Sequence, residues 1–411
     1  MADPACMTTL AQSTRPIAAA IALLSLCAAG CTGFGDTPDP GAAPSTPFAR
    51  GLLNLPDFAP GTVGHVVVDN TGLFAMVHGM RGKQEAMSLF ELDKTGGLAR
   101  ELWTLSPYIT SNSQAWPLML SRPGGLDWVV RPFQGTSPSL ACAMFRWSKG
   151  DASAPSKTAE LSGSQCEPVG IAGDDQDVFV FVSEGNGFCA YDFAGAIQNT
   201  GCITNPMIYR LSSGAASPTP IITTSIVSTA PNPVWFDGTN LYWFTQSNGN
   251  GPNWPGGALV SMPRSGSTTS TVMTLDAMSY PMGMAFAGDS IVVATSRPTG
   301  DQGYSSPVTG CVLSKVPKQG GTPTQIGALP DRVCRGLSVD ATHAWFTTGW
   351  TGTDDAWHEG IQRTRLLTST PEPALALERD NLNPLVTLQN GDSLIVVAPH
   401  AVISVPKSIL P

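Results

Sequence analysis

Asp354, Asp355, His358 and Glu359 form the densest set of groups in this chain that could move protons or ligate a cation. Their spacing matches no established ligand pattern, and a second acidic run, Asp174-Asp175-Gln176-Asp177, lacks the glycine and distal glutamate of an EF-hand loop. Gly391-Asp392-Ser393-Leu394 offers a serine hydroxyl as a nucleophile. Gly288-Asp289-Ser290 repeats that string about one hundred residues earlier, and Gly, Asp and Ser each favour chain reversal, so both read as turns. His65, His78, His343 and His400 have no Ser, Cys or carboxylate at motif spacing. Asp331, Arg332 and Arg335 are the one charged cluster close to a predicted inner strand. These residues predict no catalytic centre, no metal site and no cofactor.

The cysteines carry a clearer message. Leu26-Cys27-Ala28-Ala29-Gly30-Cys31 follows ten apolar residues, Ile17 to Leu26, and one basic residue, Arg15. An apolar run of that length is too short to span a bilayer, and small residues ahead of a cysteine suit signal peptidase cleavage. The segment resembles the lipobox of bacterial lipoproteins. The resemblance implies that residues 1–30 are removed, that Cys31 is lipidated, and that Thr32, in place of Asp, favours the outer membrane. Start sites at Met1 and at Met7 are both open. An ordinary secretory signal with an incidental Cys31 is the competing reading.

Residues 31–48 are rich in Gly, Pro, Ala and Thr and read as a tether between the lipid and a domain spanning residues 49–411. Charged residues are only 13% of the chain, whereas Gly (43) and Pro (35) are abundant, which suits short strands and turns. A net charge of −9 without a basic run excludes nucleic acid as a partner.

Seven segments share an apolar strand, a tight polar turn and a second apolar or aromatic strand. Their turn markers are Asp69, Arg122, Asp174, Asp237, Gly288, Asp340 and Asn390, spaced by 53, 52, 63, 51, 52 and 50 residues. A period near fifty in units unable to bury their own faces marks a propeller or array. Each unit continues into a third strand ending in a Gly/Ser/Lys turn, such as Leu313 to Pro323, and a weaker fourth strand, such as Pro220 to Thr223. The prediction is all-β: a seven-bladed β-propeller of four-stranded antiparallel blades. The last unit has three strands before Pro411, and Arg50 to Leu55 are predicted to supply the fourth by pairing with Val402 to Val405. Val339-Asp340, Leu241-Tyr242-Trp243 and Leu313 to Pro323 resemble the repeats of a secreted bacterial propeller lipoprotein family. That resemblance implies fold and location and brings no catalytic residues.

Cys142 and Cys166 occupy the same two repeat positions as Cys311 and Cys334, with separations of 24 and 23 residues. Each is predicted to form a disulfide, leaving Cys189 and Cys202 to close the long loop of the third unit. The longer loops all fall on one face, which is where binding residues concentrate on a rigid scaffold. Trp116, Trp254, Tyr304, Arg335, Trp350 and Trp357 are the candidate ligand contacts, suited to a glycan or a protein partner. The expected function is a noncatalytic binding or scaffold lipoprotein, anchored to the membrane by its lipid. The alternative is a propeller enzyme, such as a lyase, a glycoside hydrolase or a quinone-dependent dehydrogenase, with its site at the channel mouth.

Overall fold

The computed structural model describes residues 50–409 except 70–71, 107–116, 132, 135–136, 139–140, 152–153, 162–165, 185–201, 216, 229–231, 246–256, 267, 277–278, 299–307, 352–356, 368–371, 378–385 and 399. Within each unit the second strand reads as a nearly unbroken apolar run. Leu73 to Val77, Leu241 to Phe244, Ile291 to Ala294 and Leu394 to Ala398 are all buried. Such a run suits a strand covered on both faces, and it is covered because one blade packs on each side of it.

Seven four-stranded antiparallel sheets follow in chain order and form a seven-bladed β-propeller. Blade one comprises Ala59–Val68, Leu73–Arg81, Gln84–Glu91 and Arg100–Leu105, from the channel outward. The inner strands of blades two to seven are Leu118–Arg122, Cys166–Gly173, Val234–Phe236, Tyr280–Ala287, Val333–Val339 and Val386–Asn390. Two small two-stranded pairs, unforeseen in the sequence, add to this: the hairpin of Phe133–Gln134 with Ser137–Pro138, and Cys202–Thr204 with Ile226–Ser228, which bracket the outer two strands of blade three. No helix among the described residues is long and apolar enough to cross a membrane.

The ring closes as the sequence predicts. Arg50 pairs with Ser404 and Gly51 with Ile403, and the Leu52 N–H donates to the Val402 carbonyl at 2.9 Å. Leu52, Leu53, Leu55 and Phe58 then bury themselves with Phe90 of blade one and Ile395 and Val402 of blade seven.

A recurrent clamp joins neighbouring blades at the lower end, where the inner strands finish. In six blades the first residue after the third strand donates its N–H to the blade's own inner turn: Lys149, Ser213, Arg264, Lys318, Leu366 and Lys407. Where that residue is basic, its side chain crosses to the turn aspartate of the preceding blade. Lys149 reaches Asp69, Arg264 reaches Asp174, Lys318 reaches Asp237 at 3.3 Å and Lys407 reaches Asp340 at 3.3 Å. Between blades two and three the charges are exchanged, with Arg122 on the earlier turn and Asp175 on the later, 2.5 Å apart. Lys94 of blade one completes the circle, donating to Asn390 Oδ1 of blade seven at 3.0 Å. At the seam of blades five and six the position is held by Leu366, which packs against the same apolar cluster as Ala285 and Ala287 of blade five.

Each turn aspartate serves twice. One carboxylate oxygen of Asp237 accepts the Thr239 and Asn240 N–H groups while the other accepts the Tyr242 hydroxyl at 3.0 Å. Asp340 does the same with Thr342, His343 and the Trp345 indole N–H. The spacing of aspartate and aromatic in the repeat is therefore a hydrogen bond within a tight turn. These donors and the neighbouring lysines hold the Asp237 and Asp340 carboxyls below the usual carboxylate range, despite partial burial that opposes it.

At the upper end, disulfides join Cys142 of blade two to Cys166 of blade three and Cys311 of blade five to Cys334 of blade six, as predicted. All four cysteines are fully buried. Cys189 lies outside the described residues, so the third predicted pair is not placed.

Candidate functional site: the channel and its upper mouth

The inner strands enclose a cavity of about 320 Å³, lined largely by Val, Leu and Met side chains together with Trp235. Its polar side chains are His65, Ser121 and Asn232. Ser121 donates to Asp69, and Asn232 bonds both the N–H and the carbonyl of Ile171, tying blade four to blade three. The Nδ1 of His65 accepts the Met119 N–H at 2.7 Å, which leaves the ring proton on Nε2. Burial lowers the imidazole pKa to about 4, so His65 is neutral at neutral pH.

Chemistry concentrates above this cavity, where the inner strands begin. Glu167 is the second residue of the blade-three strand, opposite buried Ser183 and next to the Cys142–Cys166 disulfide. Burial lifts its carboxyl to about 7, and the charge of Arg131 opposes that only in part. A β-bulge between Pro168 and Gly170 follows directly; bulges of this kind re-aim the neighbouring side chains.

Blade six repeats the design with opposite charge. Arg335 stands beside a bulge between Arg335 and Leu337, and its carbonyl accepts the Thr347 hydroxyl at 2.9 Å. Burial lowers the Arg335 pKa and the buried Glu359 carboxylate opposes the shift. Arg332, just ahead of the strand, stacks its guanidinium on the Trp350 ring, 3.9 Å from the centroid. Glu167 and this group stand on different blades, with two blades between them on one side of the ring and three on the other.

Of the ligand contacts predicted from sequence, Arg335 and Trp350 lie together on blade six. Trp357 begins the third strand of that blade, where its backbone pairs with Thr351. Trp116, Trp254 and Tyr304 lie outside the described residues, as do Asp354 and Asp355. Among the described residues no group of three His, Cys, Asp or Glu side chains could hold a metal ion. Sequence reasoning missed Glu167 and gave His65 no role. The one available signal for Glu167 was its place beside Cys166 at the start of an inner strand.

No protein-family model matches the sequence, and no curated protein does. Solved structures do match. The GH74 xyloglucanase from Xanthomonas campestris gives a TM-score of 0.53 at 12% identity, covering 88% of this chain and 54% of that one. The GH74 enzyme from Niastella koreensis gives 0.52 at 13%, covering 86% and 53%. An oligogalacturonate lyase from Vibrio parahaemolyticus gives 0.51 at 9%, covering 86% of this chain and all of that one. The chain spans about half the length of the two GH74 enzymes. Identities this low establish the propeller fold.

These neighbours also correct one expectation. The sequence pointed away from an enzyme, yet two GH74 enzymes and an oligogalacturonate lyase share its propeller fold. The physical reason is placement. Inner strands composed chiefly of Val, Leu, Met, Ala and Gly suggested an inert channel, whereas folding brings Glu167, Arg335 and His65, far apart in sequence, to the inner wall and its mouth.

Proposed function

We propose that the protein is a propeller enzyme that cleaves a glycan by acid–base chemistry at the upper mouth of its channel. The observation that carries this reading is Glu167, a carboxyl lifted to about 7 by burial at the top of an inner strand. A group that titrates near the working pH can both accept and return a proton, and perturbed carboxyls in clefts concentrate at active sites. Glu167 is the proton-transferring group, and the Arg332–Trp350 and Arg335 side chains opposite it hold the sugar chain. The likeness to a xyloglucanase and an oligogalacturonate lyase supports a glycan as substrate.

Release of reducing ends from a panel of plant, algal and bacterial polysaccharides tests the proposal, with ultraviolet absorbance separating unsaturated from saturated products. Glu167→Gln should lower the rate by about 100-fold or more with a melting temperature no lower than that of the native protein. Full activity of that variant, or no cleavage of any polymer by the native protein, overturns the reading.

We propose further that the protein is exported and held to the outer membrane by lipid on Cys31, with residues 31–48 as the tether. Two buried disulfides support an oxidising compartment. Fatty-acid labelling of the native chain that disappears in Cys31→Ser is expected; equal labelling of both overturns it.

A further inference from the structure

Arg332 differs from five other arginines of the blades. Arg81, Arg100, Arg122, Arg146 and Arg264 each pair with a carboxylate across or between blades. Among the described residues Arg332 makes no such pair; the nearest acidic influence is its exposed neighbour Asp331. Its position is nonetheless fixed. The Arg332 carbonyl accepts the Cys311 N–H at 2.8 Å, its own N–H donates to Leu329 at 3.3 Å, and Cys334, two residues on, is locked by the disulfide. The side chain lies on the Trp350 ring, and Nη1 is enclosed without a hydrogen-bond partner. With Nη1 enclosed and the plane stacked on the ring, the Nε–Nη2 side of the guanidinium is the edge that can present two parallel N–H groups, the fork that matches a planar or tetrahedral oxyanion.

We infer that Arg332, stacked on Trp350, is where the protein holds an acidic group of its substrate, so that the substrate is an anionic polysaccharide bearing carboxylate or sulfate ester. The inference rests on the glycan reading above and narrows it. A cation already fixed in one orientation loses little conformational freedom on binding an anion, and at the channel mouth it positions a chain across from Glu167.

Affinity electrophoresis of the full chain tests this with polygalacturonate, its carboxyl-reduced galactan, dextran sulfate and dextran, and with inorganic sulfate as competitor. Retardation is expected from polygalacturonate or dextran sulfate and not from the neutral polymers; whichever retards identifies the acidic group. Arg332→Ala should weaken that binding at least tenfold. Arg332→Lys, which keeps the charge and loses the fork, should fall between. Both variants should melt like the native protein. Equal affinity for neutral and acidic polymers, or unchanged affinity in Arg332→Ala, overturns the inference. Arg332-dependent binding without cleavage of any polymer overturns the enzyme reading alone. Cleavage of a neutral polymer with Arg332-independent affinity overturns this inference alone.

Discussion

Lys407 of blade seven lies 3.3 Å from the carboxylate of Asp340 on the turn of blade six, and the same carboxylate accepts the Trp345 indole N–H at 2.8 Å. One side chain thus closes a turn, anchors an aromatic and joins two blades. Asp340→Asn keeps most of the turn geometry and removes the charge, and should cost about 1–2 kcal/mol, since a partly exposed ion pair is screened while a charge-assisted hydrogen bond is not easily replaced. Urea denaturation at neutral pH measures it, with Asp237→Asn as the parallel case at Lys318.

The clamps also set the acid limit of the fold. Asp174, Asp237 and Asp340 have folded pKa values below their unfolded ones, so their stabilisation is complete above pH ~4 and disappears as pH falls through the folded values. Melting temperature should therefore drop steeply below pH ~4, and the drop should be shallower in Asp340→Asn.

His65 and Glu167 bias stability in opposite directions at milder pH. The folded His65 titrates near 4 and the unfolded near 6.5, so its contribution is complete above pH 6.5 and is lost on acidification towards 4. Glu167 titrates near 7 when folded and near 4.5 when unfolded, so its contribution is present below 4.5 and is lost as pH rises to 7. Glu167→Gln should accordingly raise the melting temperature at pH 8 relative to the native protein. His65→Leu should flatten the decline between pH 6.5 and 4, at a cost of about 1–3 kcal/mol for the Met119 N–H left without its acceptor. Thermal melts at pH 5, 6.5 and 8 check both.

Each disulfide closes a loop of 23 or 24 residues between adjacent blades. Replacing Cys142 and Cys166, or Cys311 and Cys334, by serine should lower stability by about 3 kcal/mol through the restored freedom of the unfolded chain. Guanidinium denaturation of each double variant, with intact mass confirming the remaining bonds, measures the loss.

Leu52 is fully buried, and its N–H extends the closing strand. Leu52→Ala should destabilise by about 2–5 kcal/mol. Removing residues 49–56 should abolish a single cooperative unfolding transition, as followed by circular dichroism and tryptophan fluorescence.

The blades were legible because Asp237, Asp340 and their counterparts recur at a spacing that turn chemistry makes visible. The disulfides were legible because Cys142 and Cys311 lie near the start of the third strand of different blades. The lysine after the third strand of blades two, five and seven was visible as a motif, but its partner was not, since Lys407 and Asp340 meet through the angle between blades and no local pattern encodes that angle. The site was hidden for the same reason. Glu167 stands beside Cys166 and Pro168 in no chemical motif, and only burial in the folded chain changes its proton affinity. Arg332 meets Trp350 because Val333 pairs with Gly349, a register set by a bulge at Arg335 to Leu337 that sequence does not announce.

The pairing of Arg50 with Ser404 has a consequence for biosynthesis. A chain delivered from its amino terminus presents Arg50 and Gly51 early and Ala401–Pro406 very late, so the outer strand of blade seven and its other three strands emerge at opposite ends of synthesis. Contacts this remote in sequence are slow to form. Until they do, six blades stand as an open arc with an unpaired strand at each tip, and escorting that arc past other nascent chains becomes the work of whatever holds the protein before release.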